Sequence, residues 1–190
     1  MGPAHTRRLP LQREGFQVVH GPPYPTSVDA AVYPARASRE LGQQKNIHYS
    51  DVPSTLQDLL WDDFERMLGP FGATGKLGVV LFQFAPWFRP FRQSFEHIHE
   101  CKRRLPGHRI AVEFRNCWWL HPDYFEQTLG FLRDNEIEYV AVDEPQGSDS
   151  SVPPLAEVTA RLGIIRFRGR NEATWEKKGL KSSAQRFDYY

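Results

Sequence analysis

A chain of 190 residues with 40% hydrophobic content suits one domain with a sizeable core. Its 24 Lys and Arg against 23 Asp and Glu leave a formal net charge of +1, which excludes a global electrostatic pull toward nucleic acid or an anionic membrane. Two cysteines are too few for a disulfide scaffold, the N-terminus lacks the apolar run of a signal peptide, and no stretch of about 18 apolar residues could span a bilayer. A soluble cytoplasmic protein with no membrane partner is expected.

Residues 1–50 are rich in Pro, Gly and Ser and read as a poorly structured N-terminal segment; only Phe16–His20 resembles a strand. Residues 51–190 carry a clearer pattern. Ser54 and Thr55 cap an expected helix with Leu56, Leu59, Leu60, Phe64, Met67 and Leu68 at helical spacing, and Gly69 with Pro70 should end it. A strand over Lys76–Phe84 precedes a helix in which Phe91, Phe95, Ile98, Cys101 and Leu105 share a face. The strand "RIAVEFR" follows, and Pro122 then opens a helix with Phe125, Leu129 and Leu132. Strands at Glu138–Pro145 and Gly163–Gly169 complete the series. Strands alternating with helical stretches are the pattern of βα units and a parallel sheet.

The strands divide by parity. Val80, Phe82, Phe84; Ile110, Val112, Phe114; Val140, Val142; and Ile165, Phe167 are large and apolar, as positions facing helices should be. The alternate set runs Val79, Leu81, Gln83; Ala111, Glu113, Arg115; Ala141, Asp143; and Ile164, Arg166, Arg168, turning polar toward each strand's C-terminal end. A doubly wound sheet, covered by helices on both faces, tends to have apolar strands throughout. A barrel whose interior opens into a polar rim fits better, and barrel active sites lie at that rim. Eight such units take about 200 to 250 residues, so the expected fold is α/β, a TIM-barrel-like (β/α) fold with about four or five of the eight strands.

The segments "KLGVVLFQFAPWF", "IAVEFRNCWWL", "VAVDEPQG", "SSVPP", "IIRFRGRN", "TWE" and "RFDYY" come in an order that resembles the YecE-like family of uncharacterised proteins, domain of unknown function 72. The resemblance covers roughly Lys45 to Tyr190 and implies a TIM-barrel-like fold. It also implies first and second strands ahead of this chain and a last strand beyond it, so that the barrel is truncated at both ends. No reaction is implied. Asn116 stands where relatives would read "EFRH", and Arg168 where they would read "RFHGRN"; a role for either His is missing here.

The candidate site is the rim set. Glu113 and Asp143 are the candidate acid–base residues; Arg115, Arg166, Arg168, Gln83, Arg170 and Asn171 are the candidate ligand-binding residues, since guanidinium forks suit phosphate or carboxylate. Replacing Glu113 by Gln should then abolish turnover and leave folding intact. Glu144, of opposite parity to Asp143, is expected to cap the loop that follows. His97, His99 and Cys101 cluster, but only His97 and Cys101 share a helical face, so no metal and no cofactor is expected. The function expected is that of an enzyme acting on a small anionic or phosphorylated molecule. The alternatives are an anion or nucleic-acid binding module, with rim aromatics such as Trp87, Trp118 and Trp175 stacking on bases, or a truncated product without activity.

Overall fold

The computed structural model describes residues 24–25, 46–47, 49, 52–175 and 177. The chain forms two compact units, residues 1–78 and 79–190. In the first, β1 (Tyr24–Pro25) pairs antiparallel with β2 (Asn46–Ile47) ahead of a 20-residue helix, α1 (Ser54–Ala73). The strand expected over Phe16–His20 lies outside the described residues.

Both ends of α1 differ from expectation. Pro53 occupies the cap position and neither Ser54 nor Thr55 provides a side-chain cap. The Gln57 side chain folds back instead, donating from Nε2 to the carbonyls of Tyr49 (3.0 Å) and Val52 (2.9 Å). At the other end the helix runs through Pro70, where a missing N–H removes one intrahelical bond without stopping the chain. The stop is Gly75, in the left-handed region at φ 66°. Its N–H donates to Gly72 O (2.9 Å) and that of Lys76 to Phe71 O (3.0 Å), the paired bonds of a Schellman ending. Thr74 Oγ1 donates to the Pro70 carbonyl at 3.1 Å.

The second unit alternates as expected: β3 (Val80–Gln83), α2 (Arg92–Arg104), β4 (Ile110–Glu113), α3 (Phe125–Asp134), β5 (Glu138–Asp143), β6 (Ile164–Phe167) and a short α4 (Glu172–Trp175). The four strands form one parallel sheet in the order β3-β4-β5-β6. A doubly wound sheet reverses its strand order at a switch point. Here spatial order follows chain order throughout, as in the wall of a barrel. The fold is part of a TIM-barrel-like architecture.

Register fixes the faces. Gln83 lies level with Glu113, Ala111 with Glu138, Val112 with Tyr139, and Val142 with Arg166. Level residues of parallel neighbours project to the same side. Leu81, Gln83, Ala111, Glu113, Val140, Val142, Ile164 and Arg166 therefore share one face; Val80, Phe82, Ile110, Val112, Tyr139, Ala141, Asp143, Ile165 and Phe167 share the other. The expected split holds for β3, β4 and β6 but is inverted in β5. Tyr139 and Ala141 are as buried and apolar as Val140 and Val142, so alternation carried no signal there.

The apolar face of β3 and β4 continues into an aromatic core. Phe114 stacks on Trp119 at 4.2 Å between centroids and Phe84 on Phe88 at 4.2 Å. Phe95 of α2 meets Trp119 edge-on at 5.1 Å and Phe131 of α3 at 5.0 Å. Trp119 belongs to a 3₁₀ turn, Cys117–Leu120, that the sequence reading did not anticipate. Asn116 holds that turn: its Oδ1 accepts from Trp118 N (3.1 Å) while Nδ2 donates to the Pro86 carbonyl after β3. No helix lies between β5 and β6, and on the face such a helix would cover, Ile165 and Phe167 are 57% and 70% exposed. Among the described residues no helix is long and apolar enough to cross a membrane.

Candidate functional site

At the C-terminal ends of the strands, Gln83, Glu113, Arg166 and Arg168 meet. Both carboxylate oxygens of the fully buried Glu113 are taken. Arg166 Nη1 donates to Oε2 and Arg168 Nη2 to Oε1. The same two guanidinium nitrogens also donate to Gln83 Oε1, that of Arg166 at 3.1 Å. Glu113 thus closes a ring with two cations and an amide, the arrangement that makes a buried carboxylate tolerable. Arg168 is buried, whereas the Arg166 side chain remains 28% exposed and leads from the network to solvent.

Glu144 completes the cluster from the following loop. Its Oε1 accepts from Val152 N at 2.9 Å, and its Oε2, buried and without a hydrogen-bond partner, faces Arg168 Nε at 4.0 Å. Burial raises its pKa above the usual glutamate range. The Val152 N–H, Arg115 and Arg168 oppose that shift, and Glu113 adds to it. Arg115 lies over the Trp175 ring at 5.4 Å, and Trp175 Nε1 donates to Ser151 Oγ at 3.0 Å. Among the described residues, Arg115, Arg166 and Arg168 and the carboxylates of Glu113 and Glu144 make up this cluster.

Asp143 does not join it. On the opposite face of β5, it pairs with Arg170 at 3.0 Å near the surface. Gly169, at φ 74°, turns the chain after β6 so that Arg170 reaches back to Asp143. Asn171 is half-buried beyond that turn. Of the expected set, Gln83, Glu113, Arg166 and Arg168 form one hydrogen-bonded network, Arg115 lies beside them through Glu144, and Asp143 and Arg170 pair with each other instead. Glu144 was missed as a site residue. The signal for it was the pairing of β5 with β6, not the polarity of β5 itself.

His97 Nε2 lies 3.9 Å from Cys101 Sγ, both packed within the helix–sheet core; desolvation lowers the His97 pKa and raises that of Cys101. Among the described residues no three His, Cys, Asp or Glu side chains converge in a metal-binding group. Trp118 is covered on one side by His121 (4.7 Å, stacked) and approached by Arg89 at 5.7 Å.

The chain is 34% identical over 128 residues to UPF0759 protein YunF of Bacillus subtilis (strain 168), a match covering 67% of this chain and 45% of that relative. The crystal structure of a DUF72 family protein from Enterococcus faecalis V583 superposes with a TM-score of 0.63 at 29% identity, over 68% of this chain and 47% of that one. Its counterpart from Thermotoga maritima MSB8 gives 0.59 at 32% identity, over 68% and 46%. The chain spans about half the length of these relatives. The profile of "Protein of unknown function DUF72" matches residues 32–189, and with four strands in barrel order and these relatives, the chain belongs to the DUF72 family.

Proposed function

We propose that the cluster at the ends of β3, β4 and β6 binds a small anionic molecule, carrying phosphate or carboxylate, as the substrate site of a barrel enzyme that uses acid–base chemistry. The observation that carries this reading is Arg166, bonded to Glu113 and Gln83 and yet 28% exposed, so that one guanidinium of an otherwise buried charge cluster reaches solvent. Arg166 supplies the donors an anion would meet first. Glu113, held by Arg166 and Arg168, orients those donors and is poorly placed to accept a further proton. A nucleic-acid platform is less well supported: Trp118 is stacked within the fold, Trp119 is buried, and Trp175 lies under Arg115.

Calorimetric titration with sulfate and inorganic phosphate tests the reading. Arg166→Met should weaken binding at least about tenfold, in line with the strength of charge-assisted hydrogen bonds, while melting cooperatively. Unchanged affinity in that variant would remove the assignment. An oligonucleotide titration over a salt series should lack the steep slope that several phosphate contacts produce.

A further inference from the structure

Among the described residues, Glu144 is the one carboxylate of the cluster with a buried oxygen that accepts no hydrogen bond. Glu113 has both oxygens on guanidinium donors, and Asp143 is on the other face of the sheet. Glu144 has one oxygen fixed by Val152 N and the other buried, unbonded, and 4.0 Å from Arg168. Among the described residues, the titratable and charged groups acting on it are Glu113 of β4 and Arg115 just after it, Tyr139 of β5, and Arg168 just after β6. Tyr139 is a buried phenol whose pKa burial raises beyond any range in which it would compete for the proton.

We propose that Glu144 is the proton carrier of this site: its free oxygen takes a proton from solvent when an anion enters beside Arg115 and Arg166, and returns it when the anion leaves. The inference rests on the anion-binding reading above. In the empty site, desolvation and the charge of Glu113 disfavour the ionised carboxylate, while the Val152 N–H, Arg115 and Arg168 favour it. A bound anion offsets the field of those arginines and adds a like charge nearby, so the protonated carboxyl becomes the stable form. Coupling is reciprocal, so a proton on Glu144 must tighten anion binding by the same factor.

The sign follows. Folding alone already raises the Glu144 pKa above its ordinary value, and a bound anion raises it further. Affinity therefore grows as pH falls, by up to about tenfold per pH unit, in the window between the empty-site and anion-bound values. Below that window it levels off, because Glu144 is already protonated.

Sulfate is the probe, since it keeps a constant charge over roughly pH 5 to pH 8. Calorimetry in buffers of different ionisation enthalpy counts the protons taken up per sulfate. The full chain should take up close to one proton in the window, and Glu144→Gln should take up almost none, with affinity independent of pH. Gln keeps the oxygen that accepts from Val152, so the loop is retained; the proton count on the unaltered chain needs no variant at all. Sulfate binding without proton uptake, or uptake that persists in Glu144→Gln, would overturn the proton-carrier assignment while leaving anion binding in place. If sulfate binds at no pH, the anion-binding reading fails and the proton carrier falls with it.

Discussion

Glu113 is the residue whose meaning the structure changes most. From sequence it reads as a base at a rim, replaceable by Gln with activity lost and folding kept. In the fold it is wholly buried and holds two arginines that also donate to Gln83. Removing one member of such a pair leaves uncompensated charge inside the protein. Glu113→Gln should therefore destabilise the chain by about 3 kcal/mol, read as a lower urea midpoint with an unchanged slope; a midpoint within error of the parent would show that the network contributes little. Arg168 stands where the sequence resemblance leads us to expect a His. Its guanidinium reaches Glu113 through Nη2 and faces Glu144 through Nε, a span that one imidazole does not duplicate. That Glu113, Arg166 and Arg168 belong together was legible, because charges on a buried parity must meet partners. That Glu144 rather than Asp143 joins them was not, because two adjacent acids give no clue to which one faces the cluster.

At the scale of elements, the turn after β4 shows how a local motif holds two segments. Asn116 accepts from Trp118 N and donates to the Pro86 carbonyl, joining the loop after β3 to the end of β4. Asn116→Ala should cost about 1 to 2 kcal/mol, and Asn116→Asp, which keeps the acceptor but loses the donor, should fall between the two; equal stability of all three in urea would dismiss the motif. The strands and main helices were readable because their apolar spacing is a property of the segment itself. The inverted faces of β5 were not readable, since a strand buried on both sides carries no alternation. The end of α1 was misread for a related reason. Gly69 and Pro70 look like a stop, yet the bonds that end the helix form around Gly75, where the backbone enters the left-handed region.

For the molecule as a whole, the connection from β5 to β6 matters most. Without a helix there, Ile165, Phe167 and Val158 stay in contact with water. Among the described residues nothing pairs along the far side of β6, and an apolar, unpaired edge favours association. Phe167→Lys should reduce concentration-dependent light scattering without lowering the melting temperature; identical scattering would acquit this strand.

The same strand has a mechanical part to play. Gln83 belongs to β3 and the two arginines come with β6, so the network joins the first and last strands of the sheet. Three strand spacings separate them, about 14 Å along a flat sheet. Two long guanidinium side chains and one amide cover that distance above β4 and β5, so the network is a tie between strands that share no backbone hydrogen bond. Whatever draws Arg166 or Arg168 away from Glu113 and Gln83 also loosens that tie.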